Sequence, residues 1–150
     1  MANGVTNRGK YLFLRMALAN QDVPTNYYIA LCTDDDTPDV DTNTMADLTE
    51  VPAGNGYTAG GYQLDRNLTD FDTWFEGDSA DVGYGKIKDV VWTASGGDLP
   101  NGDSARWAVL TNDDSNPDVL AWFDLESNRQ VSDGQTMTVQ NLEIRATEPA

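Results

Sequence analysis

The sequence predicts a mainly β fold: one antiparallel sandwich or barrel-like domain carrying a single N-terminal α-helix. Two patterns carry that expectation. Six or seven short apolar segments are separated by turn residues, and one early segment is rich in helix formers. The 13 Gly and 6 Pro among 150 residues supply many reversals and argue against a long helical rod. The length fits one domain over 1–150, with an arm and helix over 1–20 and a β domain over 27–147. Four Trp, six Tyr and four Phe supply large apolar surfaces, which argues against disorder.

Thr6 or Asn7 can cap the helix, and Lys10 to Asn20 contains strong helix formers. Tyr11, Leu14 and Leu18 share one face, and Leu12, Phe13, Met16 and Ala17 cover much of the remainder. A helix apolar on nearly all sides is either buried in the core or shared with a partner. The segment from Gln21 to Asn26, with Pro24, ends it.

Tyr27 to Thr33 is almost continuously apolar and reads as a central strand. Asp34 to Glu50 is a polar loop with a short helical turn near Met45 to Leu48. Gly54-Asn55-Gly56 and Gly60-Gly61 bracket Tyr57, and a strand follows through Tyr62 to Arg66. Leu68 to Phe75 mixes aromatics with acids and shows no clear period. Tyr84 to Ala94 reads as one strong strand, closed by Ser95-Gly96-Gly97. Pro100 to Asp103 is a turn, Ala105 to Thr111 a strand, Asn112 to Asp118 an acidic loop and Val119 to Leu125 a strand. Asp133-Gly134 turns into the last strand, Thr136 to Thr147. There Met137 and Val139 have one parity and Leu142 and Ile144 the other, which predicts a β-bulge near Gln140 or Asn141.

Charge limits the partners. Twenty-five acids face nine bases, for a net charge of -16 and a pI near 4.1. A field of that sign repels phosphate backbones and anionic membrane surfaces, and it favours cations and basic protein patches. High acidity also serves simple solubility. Cys32, the only cysteine, cannot form an intrachain disulfide, and its apolar surroundings predict a buried, inert thiol. The first residues show no secretory signal pattern, and no apolar run approaches a bilayer span.

No histidine is present, which removes the usual general base and most transition-metal sites. Gly54-Asn55-Gly56 lacks the Lys-Ser/Thr pair of a phosphate loop. Among so many acids a carboxylate pair at glycosidase spacing carries no information, so no catalytic residues are assigned and a non-enzymatic role is expected.

Two weaker patterns point to ligands. Asp39, Asp41, Asn43, Met45, Asp47 and Glu50 fall at positions 1, 3, 5, 7, 9 and 12 of an EF-hand-like register, the arrangement by which hard oxygens surround calcium. Thr44 occupies the sixth position, where the sharp turn favours Gly, and no helices flank the loop. A solvated acidic loop is the competing reading. Trp74 and Phe75 are the candidates for an exposed sugar-binding platform, whereas Trp92, Trp107 and Trp122 lie in expected strands and read as core.

Several segments together carry a resemblance. Asn7-Arg8-Gly9-Lys10-Tyr11-Leu12, Tyr28-Ile29-Ala30-Leu31-Cys32-Thr33, and Gly54-Asn55-Gly56-Tyr57 with Gly60-Gly61-Tyr62 form one set. Ile87 to Ala94, Ala105 to Thr111 and Val131 to Thr136 complete it. This set resembles a family of small virion structural proteins of tailed bacteriophages. The resemblance implies a particle component assembled in the host cytoplasm, without catalytic residues to carry over. Size, β content and the lack of repeats favour a capsid decoration or cement protein, bound to the major capsid protein and to itself, with a trimer favoured. A tail, neck or fibre-base component, with host-receptor or sugar binding, is the alternative. Arg8, Lys10, Tyr11, Phe13, Leu14 and Arg15 are the expected interface residues, with Lys86 adding charge farther along.

Overall fold

A computed structural model describes residues 3–113 and 115–147. Met1 and Ala2 of the expected arm, Asp114 of the expected acidic loop and the terminal residues 148–150 lie outside them. Strand β1 (Gly4–Val5) leads into helix α1 (Asn7–Ala19). Then come β2 (Asn26–Cys32), β3 (Tyr62–Asp65), β4 (Phe71–Gly77), β5 (Val82–Ile87) and β6 (Val90–Thr93). The last strands are β7 (Ala105–Asn112), β8 (Val119–Arg129), β9 (Thr136–Val139) and β10 (Leu142–Thr147). The fold is mainly β and antiparallel, with one N-terminal helix and sheets packed in a sandwich-like arrangement.

The larger layer is a five-stranded sheet in the order β1-β8-β7-β2-β3. Its central strands are apolar on both faces because both are covered. Ile29, Leu31, Ala108 and Leu110 face the main core, while Ala30, Cys32, Trp107 and Val109 face a second cluster with Leu48, Val119 and Trp122. Leu48, and Met45 packed beside that cluster, come from the acidic loop. The expected helical turn is there, as a 3-10 turn over Met45–Asp47.

The opposing layer comprises β10-β5-β4 and the pair β6-β9. Two strands expected to be single are each broken in two. The 84–94 segment breaks at Lys88 and Asp89, and the 136–147 segment breaks at Gln140 and Asn141. The breaks face each other: Ile87 pairs with Leu142 on one side and Val90 with Val139 on the other. All four flanking residues are buried. Asn141 adopts φ 61°, so the chain turns there and one ribbon divides between two sheets. The expected bulge is therefore a strand break, at the place where the parity change put it.

Helix α1 is seated on an irregularity in β8. The register between β7 and β8 shifts from Leu110–Ala121 to Thr111–Val119, leaving Leu120 as the extra residue. Its carbonyl accepts the Thr6 N–H at 3.0 Å, and the Thr6 hydroxyl donates to the Val119 carbonyl at 2.6 Å. The same hydroxyl accepts the Gly9 N–H at 2.8 Å, which caps the helix. Gly9 lies so close to Leu120 that a Cβ would come within 2.1 Å of the carbonyl oxygen.

Candidate interaction surfaces

Only one side of α1 enters the core. Gly9 and Leu12 are buried, and Phe13 and Met16 pack against the main cluster. Phe13 therefore leaves the expected interface set, because its position on the helix turns it inward beside Leu12. The stripe Tyr11, Leu14 and Leu18 faces solvent, exposed by 49%, 60% and 82%. Leu18, which the sequence placed on one face with Tyr11 and Leu14, extends the exposed set beyond the expected interface residues.

Cations frame this stripe. Arg8 and Arg15 lie over the Tyr11 ring, with their guanidinium carbons 5.7 and 5.4 Å from its centroid. Arg8 also donates to Asp118 at 2.9 Å, and Arg15 pairs with Asp22. Lys10 is exposed. Arg8, Lys10 and Arg15 make α1 a segment with three bases and no acid in a chain of net charge -16. Beside it opens a cleft of about 400 Å³, lined by Arg8, Tyr11, Arg15, Asp22, Asp113 and Asp118.

The calcium register does not form a cage. Asp39 Oδ1 accepts the Asp41 N–H at 2.9 Å, and Asp41 Oδ1 accepts from the Asn7 amide at 3.0 Å. The Asn43 carbonyl accepts the Val119 N–H at 2.9 Å. Asp47 Oδ2 accepts the N–H groups of Asn43 and Thr44 at 2.9 and 3.0 Å. Those bonds hold its carboxyl below the usual range. Glu50 Oε1 accepts the Tyr57 hydroxyl and the Gly60 N–H, both at 2.7 Å. The reason is backbone shape. Thr44, where calcium loops turn sharply, is extended at φ -134° and ψ 168°, so the ligand positions do not wrap around one point. Among the described residues, no group of three or more His, Cys, Asp or Glu is placed to hold a metal ion.

The sugar platform is also corrected. Trp74 and Phe75 are neighbours on β4, and neighbours on a strand point to opposite faces. Phe75 stacks on Tyr84, with centroids 5.1 Å apart and planes 26° apart. Trp74 lies over the next residue, Gly85, where a Cβ would come within 2.7 Å of its ring. The Trp74 indole N–H donates to the Phe71 carbonyl at 3.1 Å. The two rings cannot flank one ligand.

No family model matches the chain, and no curated protein or solved structure is detectably similar to it.

Buried reactive groups are tied into the fold. Burial pushes the Cys32 thiol up to about 12, with Glu50 and Asp36 adding to the shift, so it is protonated at neutral pH. Burial also raises Tyr57, whose hydroxyl accepts the Leu31 N–H at 3.0 Å and donates to Glu50. Trp92, Trp107 and Trp122 are buried, as their strand positions imply. Among the described residues, no helix is long and apolar enough to cross a membrane.

Proposed function

We propose that this chain is a structural subunit of a tailed-bacteriophage particle, acting as a capsid decoration or cement protein. In this reading it binds the major capsid protein and further copies of itself, and it works by surface adhesion rather than catalysis. One observation carries the reading: α1 holds Tyr11, Leu14 and Leu18 in solvent, within a basic segment of an otherwise acidic chain. Contiguous exposed apolar surface rimmed by charge is characteristic of protein interaction sites. The seven-segment resemblance to phage virion proteins supports the setting. The charge supports the placement, since an acidic subunit is repelled by packaged DNA.

A basic helix on an acidic molecule also fits self-association. The α1 of one copy can face acidic surface on the next, and such a head-to-tail contact closes into a ring when the rotation permits. Phe13, being turned inward, takes no part in the contact.

Gold-labelled antibody against the chain, applied to purified particles, locates the subunit. Label over the head is the expected result. Label confined to the tail assigns it to the tail, neck or fibre base instead. Particles free of label, with the chain left in the infected-cell extract, overturn the reading.

A further inference from the structure

Strand β4 ends its sheet, in the order β10-β5-β4, and so presents a row of backbone N–H and C=O groups on its outer side. Its residues Asp72 to Glu76 form five consecutive exposed positions. Natural proteins blunt such edges, and two devices are present. The register with β5 shifts between Phe71 and Thr73, and the strand carries Asp72 and Glu76. Those devices do not account for Trp74 and Phe75, which remain 63% and 48% exposed on the same strand.

The two rings are fixed where a further strand would use them. Trp74 is held on one face by its bond to the Phe71 carbonyl, and Phe75 on the other by its stack on Tyr84. Gly85 and Gly77 leave the space they occupy: a Cβ at Gly77 would lie 2.4 Å from the Phe75 ring. A segment laid along this edge would place alternate side chains beside one ring or the other, and pre-set rings lower the entropic cost of ordering them.

Charge selects the occupant. Strand β4 carries Asp72 and Glu76 and no base, Asp78 and Asp81 follow it in the turn to β5, and Lys86 stands across from Thr73 on the inner side. A second copy pairing antiparallel about Trp74 would set Asp72 directly opposite Glu76, a destabilising pair of like charges. We propose that the free edge of β4 accepts an extended, Lys- or Arg-bearing segment of another protein as an added strand. This site is separate from the α1 stripe and does not depend on the role assigned to it.

Amide hydrogen exchange of the full chain, read residue by residue by NMR, tests the proposal. The probe is a capped eight-residue peptide of alternating Lys and Val at a few millimolar, compared with an alternating Glu and Val peptide. The Lys peptide should slow exchange by about five-fold or more at alternate residues within Asp72 to Glu76. The Glu peptide should not, and Trp74→Ala should remove most of the effect. Four results overturn the proposal: no slowing within 72–76, equal slowing by both peptides, slowing confined to residues 34–50, or full slowing in Trp74→Ala. Slowing that grows with protein concentration alone also overturns it, because the occupant is then a second copy.

Discussion

At Asp70 a single carboxylate joins three parts of the chain. It is buried, and its side chain accepts the Lys88 ammonium at 2.6 Å and the Asp65 N–H at 2.7 Å. Its carbonyl takes the Lys88 N–H at 2.9 Å, and the Lys88 ammonium sits 5.2 Å from the Tyr62 ring centroid. The bond from Lys88 holds the carboxyl below its usual range, and the Asp70 carboxylate raises Lys88. The stabilisation from Asp70 is complete above the unfolded carboxylate value of about 3.9 and is lost as pH falls through the lower folded value. That from Lys88 is complete below its unfolded value of about 10.4 and is lost as pH rises through the higher folded one. Asp70→Ala should therefore cost about 1–3 kcal/mol at pH 7, measured by urea unfolding. The gap between wild type and variant should close as pH falls below about 3.9. Equal stability at pH 7 would contradict this. Nothing in the sequence paired Asp70 with Lys88, since the two meet only through the sheet. The aromatic pair Trp74 and Phe75 was visible as exposed, but the strand period that separates the rings was hidden by the acids on either side of them, Asp72 and Glu76.

Among the elements, the broken ribbon shows how parity records a corner. Buried residues three apart on a strand fall on opposite faces unless the chain turns between them. Val139 and Leu142 carry that signal, and the break near Gln140 was legible from it. Ile87 and Val90 carry the same signal on the partner strand. There the continuous apolar run through Val90, Val91 and Trp92 obscured it. Helix α1 was equally legible in its cap and extent, but not in its orientation, because apolar residues surround it. The seat on β8 decides which side enters the core. It also reverses an ordinary rule, for Gly→Ala inside a helix normally stabilises by about 1 kcal/mol. At Gly9 the new Cβ would meet the Leu120 carbonyl. Gly9→Ala should destabilise by about 1–3 kcal/mol, seen as a lower Tm. A raised Tm would remove Leu120 as the seat of the helix. The calcium register fails at this scale too: the residue types were right, but an extended Thr44 spreads them along the loop.

For the molecule as a whole, composition foretold the architecture and the sign of the surface. It could not foretell which apolar residues stay outside, because that depends on which side of α1 the sheet leaves free. Two surfaces follow from the fold: a basic, apolar helix stripe and an acidic, aromatic strand edge. The central claim is that the stripe binds neighbouring virion proteins. Leu14 and Leu18 are exposed, so Leu14→Glu with Leu18→Glu should alter stability by only about 0.5 kcal/mol per site. Co-sedimentation of purified wild type and double variant with phage particles stripped of this subunit is the direct measurement. The account predicts at least about a tenfold loss of binding for the variant, equivalent to about 1.4 kcal/mol. Equal binding by a folded double variant would contradict it.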